Sequence, residues 1–114
     1  MTESNPEIDR VNGSALNALL SDPTTIYKKA LHIWGQDAQM DMVEEECAEL
    51  ILALKHLRRG RTDFLPLFNE IADVEIMIGQ MRLMFGDEGI DKAKRSKLIR
   101  LAERTGLHSV SFGR

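Results

Sequence analysis

The sequence predicts an all-α protein: an antiparallel helical bundle of about four helices, assembled as an oligomer. Three observations predict it. From residue 22 onward, apolar residues return at three- and four-residue intervals, the helical period. Alternation with period two is almost absent, so no strand is needed anywhere. Glycines stand where each apolar pattern stops, at Gly35, Gly60, Gly86 and Gly106, and glycine is the residue that most readily closes a helix C-terminus.

Residues 1–22 hold one short apolar patch, ALNALL at 15–20. They read as a flexible N-terminal arm with room for one turn of helix. The first firm helix is expected over 22–34, with Asp22 as N-cap and Pro23 at the first helical position. The second covers about 37–59 and has basic residues in its last turns, as the helix dipole prefers. Its apolar face is Met40, Val43, Cys47, Leu50, Ile51, Leu54 and Leu57. The third runs from about 63 to 85, tolerates Pro66 in its first turn, and offers Ile71, Val74, Ile78, Met81 and Phe85 as its core face. The fourth covers about 88–104. The helical domain is thus expected over 23–106, with a short C-terminal tail at 107–114. Short turns let four such helices close antiparallel. The two long ones, at 1.5 Å per residue, would each span about 35 Å. A long pair flanked by shorter helices leaves apolar surface for another subunit, so a homodimer or homotetramer is expected.

A chain of 114 residues, 43% of them hydrophobic, supports one domain with a core and is too short for two. Lys and Arg number 15 against 18 Asp and Glu, for a formal net charge of -3. No global positive field therefore draws it to nucleic acid or to an anionic membrane surface. Apolar runs such as LILAL at 50–54 fall far short of the roughly 20 residues that cross a bilayer. The opening MTESNPEIDR lacks the charged-then-apolar pattern of a secretory signal. The single cysteine, Cys47, excludes an internal disulfide and a thiolate metal cage. A cytoplasmic setting is expected.

The chemistry gathers on the second and third helices. Glu46 and Glu49 are three residues apart, so they project from adjacent turns of one face, and Met42 and Ala53 continue their ridge. Glu70 and Asp73 repeat the arrangement, continued by Met77 and Met81. Burying one ionised carboxylate without a partner costs several kcal/mol, and four together repel one another. Between residues 37 and 49 there are six acids and no Lys or Arg, and between 64 and 81 there is no Lys or Arg either. A cation is one answer. Carboxylates without His or Cys suit hard Mg²⁺, with Mn²⁺ as a substitute, rather than zinc. None of the three histidines follows an acid at the spacing di-iron bundles use. Glu44, Glu45, Asp41 and Glu75 have the ordinary reading of acids on a solvated face. For the two pairs, solvated face and metal site both stand open on these residues alone.

The fourth helix carries a basic ridge. Lys97 and Arg104 are seven apart, with Arg100 on the adjoining edge, and Ile90, Ala93 and Leu101 share their side. A carboxylate cage on two helices with a basic ridge on a third suits metal-bound polyphosphate. Lys92, Lys94 and Arg95 read as solvated surface.

EEECAEL, followed after about twenty residues by EIADVE, resembles the paired E-x-x-E and E-x-x-D signature of the MazG-like all-α nucleoside triphosphate pyrophosphohydrolases. WGQDAQ at 34–39 and KLIRLAER at 97–104 resemble that family's flanking segments, and the likeness extends from about residue 27 to 104. The resemblance implies a Mg²⁺-dependent enzyme that hydrolyses a (d)NTP between its α and β phosphates, giving (d)NMP and pyrophosphate by attack of metal-activated water. Glu46, Glu49, Glu70 and Asp73 would hold the metal, and Glu45 or Glu49 would orient or deprotonate the water. Lys97, Arg100 and Arg104 would steady the phosphates, although Leu101 stands where many relatives carry an Asn. Trp34 and Gln39 are candidates for the base and sugar end, by stacking and edge hydrogen bonds respectively, and core packing is an equal reading of Trp34. His32 and His56 read as structural or surface groups. Two alternatives stand beside this expectation: a narrow-substrate relative, dUTPase-like or phosphoribosyl-ATP pyrophosphohydrolase, and a non-catalytic helical nucleotide-binding or interaction module.

Overall fold

The structure, a computed structural model, describes residues 6–60 and 62–107. Its regular elements are five helices: α1 (Pro6–Ser21), α2 (Thr24–Trp34), α3 (Gln36–Arg58), α4 (Leu65–Phe85) and α5 (Asp87–Arg104). The all-α class holds among the described residues. The segment expected to carry a single turn is helical from Pro6 to Ser21, a difference we trace to its apolar patch, which repeats at helical spacing just before the turn into α2. The first five residues of the expected arm, and the tail from 108 onward, lie outside the described residues.

Local chemistry sets the helix ends. The Asp22 carboxylate Oδ1 accepts hydrogen bonds from the Thr24 backbone N–H at 3.2 Å and the Thr24 hydroxyl at 2.7 Å. Those bonds favour the charged form and hold Asp22 below the usual carboxylate range. At the start of α4, Asp63 Oδ1 accepts one hydrogen bond, from Leu65 N–H at 3.1 Å. The α4–α5 junction is a single residue, Gly86, at φ 91°, a left-handed backbone that any side chain would strain. Arg82 bridges that corner. Its Nη1 donates to Asp87 Oδ1 and Asp91 Oδ1, each at 2.8 Å, and the two carboxylates hold the guanidinium pKa above its usual value.

α3 and α4 pack antiparallel along their lengths, and α2 leans on both. Where α2 crosses α4, Gly79 meets the Tyr27 ring, and a Cβ on Gly79 would run into the ring carbons. The α3–α4 register is constant. Gln39 pairs with Gln80, Glu46 with Asp73 and Glu49 with Glu70, and then Ala53 and His56 share a cleft with Pro66 and Asp63. Each layer stands three, four or seven residues from the next on both helices, so the same face of each is kept against the other.

Packing outside this seam is thin. α5 touches α4 and no other described helix, and α1 touches α2 alone. Four helices therefore do not close around one core within the single chain. Its radius of gyration is 19.3 Å, against about 13 Å for a compact chain of this length. Only Met77, Gln39 and Gln80 are buried among the described residues. Of the side chains expected in the core, Ile51, Leu54, Ile71, Ile78 and Phe85 are exposed, among twenty large apolar groups in that state. The reason is rotational: the ridge carrying the acids is the one turned toward the partner helix, which leaves part of the apolar stripe facing outward. No described helix is long and apolar enough to cross a membrane.

Candidate metal centre

The middle of the seam brings the expected acids together. Carboxylate oxygens of Glu46, Glu49 and Glu70 all lie within 4.8 Å of one another. Two of these glutamates come from α3 and one from α4, so the convergence follows from E-x-x-E spacing on one helix meeting its antiparallel counterpart. Asp73, the fourth expected ligand, stands beside the trio, and its charge acts on both Glu46 and Glu70.

The electrostatics show the cost of this arrangement. Burial raises the Glu46 pKa to about 7, helped by the charges of Asp73, Glu49 and Glu70. Glu70 is also raised, first by desolvation and then by Glu49. Both effects disfavour the ionised carboxylate. Among the described residues, no donor reaches the buried Oε2 atoms of Glu46 and Glu70. Orphaned buried acceptors are rare in folded proteins and carry a desolvation penalty. A hard divalent cation would satisfy these atoms and offset the mutual repulsion, and carboxylate oxygens are the donors Mg²⁺ takes. The donor set present thus fits such an ion.

One side of the acid layer is closed and the other is open. Toward one end of the seam, Gln39 Nε2–H donates to Gln80 Oε1 across the helices, and both side chains are buried. Gln80 Nε2 also lies 3.9 Å from Met77 Sδ. Toward the other end lies a cleft of about 410 Å³. Glu49 and Glu70 form its inner end, Leu52, Ala53, Leu57, Pro66 and Leu67 its walls, and His56 and Asp63 its outer end. That volume lies within the range of small-molecule sites, roughly 300–1,000 Å³.

The remaining expected site residues sit elsewhere. Glu45 is exposed and does not line the cleft. Gln39 is engaged with Gln80 rather than open to a ligand. Trp34 is 62% exposed and lines a separate apolar groove with Leu19, Ile26, Ala30 and Ile33 at the α1–α2 junction. Lys97, Arg100 and Arg104 are exposed on α5, a helix that does not touch α3. The single chain therefore does not bring its basic ridge to the acids. His56 and Asp63, which motif reading left aside, share a cleft with Glu49 and Glu70. The signal that could have found His56 is spacing, since it is seven residues from Glu49 on the same face of α3, whereas Asp63 precedes α4 and offers no such signal.

No protein-family model matches the chain, and no significant match was found among curated proteins or solved structures.

Proposed function

We propose that the protein is a Mg²⁺-dependent nucleoside triphosphate pyrophosphohydrolase of the MazG-like kind, converting a (d)NTP to (d)NMP and pyrophosphate. One observation carries this reading: three carboxylates converge on a seam where two of their oxygens are buried without partners, at the inner end of a ligand-sized cleft. Glu46, Glu49 and Glu70 would hold the ion, with Asp73 adjacent. When bound, Mg²⁺ supplies neutralisation of phosphate charge and acidifies water.

The chain's own groups do the rest. Glu49 belongs to the trio and also lines the cleft, whereas Glu45 does neither, which supports Glu49 as the group that would take the proton of an attacking water. The water oxygen bonds to the α-phosphorus, the bond from that phosphorus to the α,β-bridging oxygen breaks, and pyrophosphate leaves with the electron pair. Leu52, Leu57 and Leu67 keep the cleft wall apolar, which strengthens the electrostatics inside it. The twenty exposed large apolar side chains among the described residues, with the open outline of the single chain, support a homo-oligomer as the working form. An assembly is also the arrangement in which the Lys97, Arg100 and Arg104 ridge could approach a substrate.

The test is turnover. Incubation with a panel of dNTPs and NTPs and Mg²⁺ should release pyrophosphate and monophosphate, and Glu49→Gln or Glu70→Gln should lower kcat by about 100-fold or more. Absence of turnover with every nucleotide would exclude the hydrolase and leave a non-catalytic helical module.

A further inference from the structure

We propose that the outer end of the α3–α4 cleft is a nucleobase slot, in which His56 and Asp63 select a base bearing an exocyclic amine. The inference rests on the nucleotide reading above for the kind of ligand, and on independent geometry for where the base goes. The acid layer is plugged on the other side by the buried Gln39–Gln80 pair. A ligand whose phosphates met a cation held by Glu49 and Glu70 would therefore extend toward the loop joining α3 to α4. His56 lies seven residues beyond Glu49, and Asp63 seven residues before Glu70. His56 is therefore about 10 Å along the α3 axis from Glu49 and on the same face, whereas Asp63 precedes α4 and lines the cleft from the loop.

The lining suits a flat, mostly apolar ring with one polar edge. Leu52, Leu57, Pro66 and Leu67 supply the walls. Asp63 Oδ1 accepts from Leu65 N–H at 3.1 Å, which anchors that carboxylate to the first turn of α4. A carboxylate accepts hydrogen bonds and donates none, whereas the imidazole of His56 can do either. An exocyclic NH₂ meets Asp63 as a donor. A carbonyl oxygen in its place would set acceptor against acceptor at this exposed carboxylate, losing a charge-assisted hydrogen bond that the amine keeps. Cytosine and uracil differ at just this position.

The experiment uses the nucleosides deoxycytidine and deoxyuridine as probes, which carry no phosphate to meet the bare carboxylates, titrated into the full chain by calorimetry without metal. Trp34→Ala serves as a control at the separate groove. The wild type should bind deoxycytidine about ten-fold more tightly than deoxyuridine, and Trp34→Ala should keep that ratio. Asp63→Asn retains an oxygen to accept from Leu65 N–H and gains a donor, so it should bring the ratio to one or below. His56→Ala should weaken both ligands. Equal binding of the two probes by the wild type, an unchanged ratio in Asp63→Asn, or no binding of either probe would overturn the slot. Failure of all triphosphate turnover with the ratio intact would remove the hydrolase reading and leave the slot standing.

Discussion

The α3–α4 seam and the α5 arm are built from the same material, long amphipathic helices, yet they differ in almost every physical respect. The seam has constant register, a buried hydrogen-bonded glutamine pair and three converging carboxylates. The arm has no buried residue, and its ties to α4 include one guanidinium on two exposed carboxylates. In the seam, polar groups are forced into contact and must be satisfied. On the arm, apolar groups such as Leu98, Ile99 and Leu101 remain open to solvent. The packed seam holds the carboxylates, while much of the large apolar surface of the described residues stays exposed.

That contrast can be broken first at the packed side. Gly79→Val would drive a branched side chain into Tyr27 where α2 crosses α4. Overpacking of this kind costs about 1–3 kcal/mol, so a clear loss of Tm is expected in thermal melts, partly restored by Tyr27→Ala in the same chain. An unchanged Tm would mean that the crossing is not packed as described. The smaller effect belongs to the arm. Arg82→Ala removes both ion pairs at the α4–α5 corner, yet exposed pairs contribute little to global stability. Tm should hardly move, while hydrogen exchange at the start of α5 should accelerate. A large drop in Tm would show that α5 is part of the cooperative core and erase the distinction.

Much of this was legible in the sequence, for identifiable reasons. Helix stops at Gly35, Gly60, Gly86 and Gly106 could be read because each has positive φ, from 83° to 99°, a demand that glycine alone meets without strain. The convergence of Glu46, Glu49 and Glu70 could be read because i, i+3 spacing on antiparallel neighbours leaves few other geometries. Rotation about the helix axis could not. Periodicity marks an apolar stripe without saying which partner will cover it, so Ile71, Ile78 and Phe85 were expected inside and lie outside. Gln39 shows the same limit from the polar side. Its hydrogen-bonding capacity suggested base recognition, but capacity is met by whichever group the register supplies, and here that is Gln80, forty-one residues away. α1 was under-read because Asn12, Gly13, Ser14 and Asn17, all weak helix formers, interrupt its apolar positions.

The central claim is that a divalent cation completes the carboxylate layer, and thermal melting with and without Mg²⁺ at about pH 5 and about pH 8 tests it most directly. Glu46 has its pKa raised from 4.5 to about 7 in the folded chain. The folded state therefore binds more protons than the unfolded one between those values. The metal-free protein should hold this contribution fully below about 4.5 and lose it as pH rises through about 7. Mg²⁺ competes with those protons, so it should raise Tm more at pH 8 than at pH 5, and Glu49→Gln or Glu70→Gln should abolish the increment. A Tm indifferent to Mg²⁺ at both pH values, or an increment that survives both substitutions, would contradict the account.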